Sequence, residues 1–159
     1  MKKNIFLSLA FLGFSFFHQA YAEQFTCPQI KDFKCFPSFV VEYPLSKDPS
    51  TQEFNSWLVA QLNFRKLPQH ILDSLFISPV HPNAEESPSD AASKILPDFV
   101  ADSPEPFIDD FNPETQMFVC TYTNPHDGSI ANFIRLVSKK DKALSAMHAM
   151  QAFAKLHQH

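Results

Sequence analysis

The chain has 159 residues, of which 45% are hydrophobic, and its formal net charge is -4. Nucleic acid and anionic membranes are polyanions that attract Lys and Arg, so an acidic chain is expected to bind neither. Its two glycines, Gly13 and Gly128, are too few for a phosphate-binding loop, a dinucleotide turn or a G-x-S-x-G elbow. The H-E-x-x-H, C-x-x-C and EF-hand patterns are missing as well, so no cofactor is predicted.

The N-terminus has the three parts of a secretory signal peptide. Lys2 and Lys3 supply the positive start, an apolar run extends from Ile5 to Phe17, and Ala20-Tyr21-Ala22 forms a small-x-small cleavage box. The apolar run is shorter than the ~20 residues that cross a bilayer. We therefore predict a signal peptide at 1–22 and a mature single domain at 23–159. Cleavage would take the net charge to -6, leave no membrane span, and place the protein in the periplasm of a bacterium or outside the cell.

Three cysteines, Cys27, Cys35 and Cys120, remain in the predicted mature chain. Export favours disulfide formation, and an odd count leaves one thiol free or available to another molecule. From loop-closure entropy, a Cys27–Cys35 bridge is expected to stabilise the fold by about 2.6 kcal/mol and a Cys27–Cys120 bridge by about 4.7 kcal/mol. The shorter loop closes more readily, so the residues alone leave both pairings open, with Cys35–Cys120 behind them.

The first predicted elements lie between residues 36 and 76. Phe39 to Tyr43 is a β-branched and aromatic run between two prolines, which favours an edge strand. Residues 51–66 are ambiguous: a Ser50/Glu53 capping box and apolar residues at helical spacing favour a helix, whereas alternating apolar residues favour a strand. We predict the helix, followed by a second short segment from Pro68 to Phe76.

Residues 79–114 differ from the rest of the chain. They contain seven of the thirteen prolines and nine carboxylates against one cation, Lys94. Such a composition predicts a long exposed or partly disordered acidic, proline-rich insert, with a short helix at Ala91 to Val100 interrupted by Pro97. A calcium site is the alternative for the carboxylates, although no calcium-loop spacing is present.

The strongest local pattern covers residues 116–138. Met117 to Thr123 and Ile130 to Ser138 are β-rich, and the Asp127-Gly128 pair between them is typical of a hairpin turn. Both strands carry apolar residues on both faces, which favours a sheet that is covered on both sides. Lys139 to His157 should then form a helix with an apolar stripe, whose predicted members are Ala143, Met147, Met150 and Ala154, with Ala146 and Phe153 beside them.

Candidate site residues are few. Met147, His148 and Met150 are thioether and imidazole ligands that suit Cu(I), but the favoured interpretation is that both methionines fill the core and His148 lies on the surface. Cys35 is a candidate nucleophile, for which oxidation or intermolecular pairing is the expected fate outside the cytoplasm. Trp57, the only tryptophan, is predicted to anchor the core rather than to bind a ligand.

Three features of the sequence resemble a known group of proteins. They are Cys27-Pro28 soon after the cleavage box, the lone Trp57, and Val119-Cys120-Thr121-Tyr122 before a hairpin. Together they resemble a family of small exported bacterial proteins of unknown function. The resemblance implies a disulfide between Cys27 and Cys120 and implies no activity. The acidic insert, Cys35 and the C-terminal helix depart from the family pattern.

The sequence thus predicts an α+β fold with a small antiparallel sheet, a central hairpin, and a C-terminal helix packed on one face. The expected function is a non-enzymatic exported binding or interaction module with an unknown protein or small ligand as its partner. The alternatives are a periplasmic copper-binding protein and a small hydrolase whose Ser, His and acid are dispersed along the chain, since such a triad leaves no local pattern.

Overall fold

The computed structural model of the chain describes residues 25–33, 39–63 and 67–158. The predicted signal peptide at 1–22 and the third cysteine, Cys35, lie outside these described residues. Within them, no helix combines the length and the apolarity needed to cross a membrane.

Seven strands form one antiparallel sheet with the order β1-β2-β3-β7-β6, and both β4 and β5 pair with the outer edge of β6. The strands are β1 (Phe39–Lys47), β2 (Phe54–Asn63), β3 (Ile71–Val80), β4 (Val100–Ala101), β5 (Phe107–Asn112), β6 (Thr115–Thr123) and β7 (Ile130–Ser138). The helices are α1 (Ile30–Phe33), α2 (Pro88–Ile95) and α3 (Ala146–Leu156), and a 3₁₀ turn covers Leu96–Asp98. The sheet is therefore larger than the small sheet predicted, and strands dominate the fold.

The predicted hairpin is confirmed as β6 and β7, and β7 lies inside the sheet between β3 and β6. In its turn, the Asn124 backbone N–H donates to the Ser129 carbonyl at 2.9 Å. Gly128 has a φ of 74°, the left-handed conformation that Asp-Gly turns require and that side chains with a Cβ disfavour. The local turn chemistry was thus sufficient to locate this pair of strands.

Both faces of the sheet bury apolar side chains, as the hairpin pattern predicted. Helix α3 covers one face, which we call the α3 face, and α1 and α2 cover the opposite one, the α2 face. The buried members of the α3 face include Leu58, Ala60, Leu62, Leu72, Phe76, Met117, Val119, Ile134 and Leu136. Those of the α2 face include Val59, Leu75, Ile77, Ala91, Ala92, Cys120, Tyr122 and Phe133.

The helix predicted at 51–66 is wrong, because Phe54–Asn63 is strand β2. This strand lies between β1 and β3, and its alternate residues point to the two covered faces, which produces an apolar run that also fits a helical spacing. The polar residues before β2 form a turn instead of a helix N-terminus. In this turn, the Asp48 carboxylate accepts from the Ser50 backbone N–H at 2.7 Å and from its hydroxyl at 2.6 Å. The next predicted segment, Pro68 to Phe76, is replaced by strand β3.

The loop or partly disordered insert predicted at 79–114 is also wrong, although many of its residues are exposed as expected. The segment contains the end of β3, helix α2, the 3₁₀ turn and strands β4 and β5. Ala91, Ala92, Leu96 and Phe99 are buried in the α2 face, so four apolar side chains hold a proline-rich and acidic segment against the sheet. The expected helix near Ala91 is present as α2, and the 3₁₀ turn begins directly before Pro97.

The C-terminal helix is shorter than predicted, because residues 139–145 precede its first turn. Its buried face agrees with the predicted stripe only in part. Ala149 and Ala152 are fully buried, with Phe153 and Leu156 packed beside them, whereas Met147 is 65% exposed. The predicted stripe is therefore right in part: Ala146, Met150 and Phe153 pack on the buried cluster, whereas Met147 and Ala154 are exposed. The aromatic stack between Phe153 and Phe76, with ring centroids 4.3 Å apart, lies at the centre of this contact.

Candidate functional site

A disulfide bonds the N-terminal segment to the middle of the sheet. It joins Cys27 to Cys120, the pair that the family resemblance implies, with Cα atoms 5.6 Å apart. The Cys27 backbone N–H also donates to the Pro104 carbonyl at 3.0 Å. Residues 25–33, which we call the N-terminal strap, are thereby fixed against the α2 face.

Aromatic side chains complete the attachment of the strap. The rings of Phe25 and Phe33 both stack on Phe133, with centroids 5.9 and 5.6 Å away. The buried Tyr122 hydroxyl donates to the Pro28 carbonyl at 2.6 Å, and burial raises the pKa of this phenol above its ordinary value. Tyr122 therefore stays neutral and acts as a structural donor.

An ion pair lies beneath the strap at one end of the α2 face. The Arg135 guanidinium donates to both carboxylate oxygens of Asp73, at 2.7 and 2.8 Å. Asp73 is 4% exposed, and the Phe25 ring lies 4.4 Å from the guanidinium carbon. An aromatic ring and a carboxylate thus hold one arginine between them.

The residues proposed for a copper site differ in their surroundings. Met147 is exposed, whereas Met150 packs against the buried cluster of the α3 face. His148 Nδ1 accepts the Ser145 backbone N–H at 3.0 Å, which engages that nitrogen in capping helix α3. The described residues contain no group of three or more His, Cys, Asp and Glu side chains arranged to hold a metal ion.

One serine lies within reach of a histidine, as a dispersed hydrolase triad requires. The Ser145 hydroxyl is 2.8 Å from His148 Nδ1. This contact belongs to the first turn of α3, however, and no carboxylate among the described residues hydrogen-bonds the ring. A nucleophile needs a base that a third group orients, so the pair is explained by helix capping.

The feature with the shape of a binding site is a groove beside Trp57. Three parts of the chain form it: the β1–β2 turn, the loop after β3, and the start of α2. Its volume is about 320 Å³, and it is lined by Asp48, Thr51, Glu53, Phe54, Asn55, Trp57, Pro82, Asn83, Ala84, Glu86 and Pro88. We call it the aromatic groove.

Two aromatic rings form its floor. Trp57 is half-buried and packs against the core of the α2 face, and its indole N–H donates to the Phe54 carbonyl at 3.3 Å. Phe54 is 48% exposed and meets Trp57 edge-on, with centroids 5.7 Å apart. Trp57 therefore anchors the core, as predicted, and in addition offers part of its ring to the groove.

Hydrogen bonds connect the elements around the groove to the sheet. His81 Nδ1 donates to the Asn55 carbonyl at 2.7 Å, which ties the loop after β3 to β2. The Glu42 carboxylate accepts from the Ser89 backbone N–H at 3.1 Å and from its hydroxyl at 2.5 Å, which ties α2 to β1. The loop and the helix that border the groove are therefore each bonded to a strand of the sheet.

The charges on the groove walls are mostly negative. Donation from the Ser50 hydroxyl lowers the pKa of Asp48, and the Lys94 ammonium, which pairs with Glu86, lowers the pKa of that carboxyl. Both groups are therefore ionised at neutral pH. The third carboxylate, Glu53, is exposed, and the lining contains no Lys or Arg among the described residues.

Comparison with protein-family models, curated proteins and solved structures gave no match to this chain. The family resemblance drawn from Cys27-Pro28, Trp57 and the Cys120 strand therefore stays a prediction.

Sequence reasoning missed the aromatic groove. Its two stretches of chain, residues 48–57 and 82–88, are distant in sequence and meet because β2 pairs with β3. The one usable signal was the proximity of Phe54 to the only tryptophan, and the helix predicted for 51–66 placed both rings on a single buried face.

Proposed function

We propose that this chain is an exported, non-enzymatic binding module whose ligand site is the aromatic groove. The observation that carries the proposal is the partly solvent-exposed pair of rings, Phe54 and Trp57, on a floor that hydrogen bonds hold in place. Preformed concave sites with exposed aromatic groups are typical of ligand-binding surfaces.

Two observations support export. The N-terminal residues have the pattern of a cleavable signal peptide, and the Cys27–Cys120 bridge needs an oxidising compartment to persist. In the expressed full-length chain, we expect mass spectrometry of the periplasmic and secreted fractions to find a protein that begins at Glu23. Recovery of the intact N-terminus in the cytoplasm would contradict export.

The binding function can be tested without a known ligand. Peptides enriched by the mature protein from a random phage-displayed library would be synthesised without tryptophan and titrated while the fluorescence of Trp57 is recorded. Because Trp57 is the only tryptophan, any saturable change reports on its surroundings. We expect Phe54→Ala to raise the Kd at least about tenfold, as loss of a central aromatic contact does.

Phe107→Ala is the matched control, because Phe107 is also exposed but lies on strand β5, at the edge of the sheet opposite to β1. Circular dichroism spectra of both variants would show that they are folded. If no library peptide binds, or if binding is lost in Phe107→Ala and kept in Phe54→Ala, the aromatic groove is not the ligand site.

A further inference from the structure

The aromatic groove continues into a second depression along α2. This depression is lined by Glu85, Glu86, Asp90, Ser93 and Lys94, and its volume is about 430 Å³. Glu86 lines both depressions, so they adjoin each other. We call the second one the acidic shelf.

Negative charge dominates the two surfaces together. Their combined lining has five carboxylates, on Asp48, Glu53, Glu85, Glu86 and Asp90, against the single ammonium of Lys94. That ammonium pairs with Glu86, which also raises the pKa of Lys94 and keeps it protonated. Asp90 also acts on Lys94, because its negative charge helps to raise the pKa of that ammonium. Asp48, Glu53 and Glu85 form no salt bridge among the described residues. A groove with this field attracts cations and repels anions.

The floor of the groove suits a cation as well. Phe54 and Trp57 meet edge-on at an angle of 68°, and the partly exposed ring of Phe54 can receive a guanidinium or an ammonium over its face. The chain already contains this arrangement, because Arg135 lies over Phe25 while it pairs with Asp73. The groove offers the same two kinds of group, an exposed aromatic ring and carboxylates.

We propose that the occupant of the aromatic groove is an extended, arginine- or lysine-bearing segment of a partner polypeptide, an inference that rests on the binding function proposed above. One cationic side chain lies on Phe54 near Glu53, and a second lies on the acidic shelf near Glu85. A polypeptide is favoured over a small cation, because the groove and the shelf adjoin and offer two sites that one chain can reach together.

The test uses the predicted mature protein, residues 23–159, and defined peptides. The probe is an acetylated and amidated octapeptide in which alanine and arginine alternate, titrated against Trp57 fluorescence at about 0.15 M salt. The comparison peptides replace every arginine by citrulline, which keeps the shape without the charge, or by glutamate. Arginine amide serves as the small-cation probe.

We expect saturable binding of the arginine peptide. The Kd of the citrulline peptide should be at least about tenfold higher, and the glutamate peptide should show no measurable binding. The double variant Glu53→Gln/Glu85→Gln should raise the Kd of the arginine peptide about five- to tenfold. Both side chains are exposed, so these changes leave the fold intact. Glu105→Gln is the control for net charge, because Glu105 is exposed and lines neither surface, and it should change the Kd less than about twofold.

Each contrary result has a distinct meaning. Equal binding of the citrulline peptide, or equal effects of Glu105→Gln and the double variant, would refute the cationic ligand. Arginine amide binding as tightly as the octapeptide would refute a polypeptide partner. Neutral or acidic library peptides that depend on Phe54 would overturn this inference while the groove remains a binding site, whereas failure of every library and defined peptide would overturn both.

Discussion

Replacing both Cys27 and Cys120 by alanine should lower the free energy of unfolding by about 4.7 kcal/mol. The two cysteines are separated by 93 positions, and a loop of that size loses about 4.7 kcal/mol of closure entropy from the unfolded state when it is cross-linked. The strap keeps its aromatic contacts with Phe133 and its hydrogen bond to Tyr122. We therefore expect the variant to fold to the same structure with lower stability.

Urea unfolding, followed by Trp57 fluorescence and far-ultraviolet circular dichroism, measures the change. With a slope of about 2 kcal/mol per molar urea, typical of a domain of this size, the midpoint should fall by about 2 M. The wild-type protein unfolded with excess reductant should give the same midpoint as the double variant. Cys35→Ala is the control, because it keeps both bridged cysteines and should lose the same stability only when reductant is added.

A midpoint that moves by less than about 0.5 M would refute this reasoning. Such a result would mean either that Cys27 and Cys120 are not joined in the exported protein or that closing the long loop contributes little. Peptide mapping after thiol alkylation separates the two cases, because it identifies which cysteines are bridged.

Two further predictions concern charged groups. Asp73→Asn should lower the free energy of unfolding by about 3 kcal/mol, because it leaves the Arg135 guanidinium without its buried carboxylate partner. Replacing both members of the pair, by Asp73→Leu/Arg135→Met, should lower the free energy of unfolding clearly less. An equal or larger loss of stability in the double variant would contradict this account. Glu114 lies between Lys140 and Lys142, whose hydrogen bonds lower its pKa to about 2. A carboxyl group whose pKa is lower in the folded than in the unfolded chain stabilises the fold at pH values above the ordinary pKa of glutamate. This stabilisation disappears as the pH falls from about 4.5 to about 2. Calorimetric Tm values across this range should therefore decline less steeply in Glu114→Gln than in the wild type, and parallel curves would show that the ion pairs contribute nothing.

Elements with strong local signals were predictable from the sequence. The β6–β7 hairpin depends on Asp127-Gly128 and on alternating residues whose two faces are covered in the folded chain as expected. The edge strand near Phe39 and the presence of a C-terminal helix follow from equally local patterns. Turn chemistry and side-chain alternation act over a few residues, which is why these elements could be located without knowledge of their neighbours.

Long-range contacts decided the rest. Residues 54–63 form a strand because β1 and β3 bond both of its edges, and no local pattern encodes those partners. The face of α3 was set by the stack of Phe153 on Phe76, a residue of β3. The acidic 79–114 segment is ordered by four apolar side chains that reach the α2 face. In each case, burial against a distant element outweighed the local preference.

The sequence by itself determined the acidic charge of the protein, its central hairpin, its terminal helix and the pattern of a signal peptide. Only the tertiary structure decided where the aromatic groove lies, because the groove forms where the β1–β2 turn, the loop after β3 and the first turn of α2 meet. The first part is distant in sequence from the other two, which follow each other directly, and the pairing of β2 with β3 brings them together. A surface assembled from distant segments has no continuous sequence pattern, so it could be identified only in the folded structure.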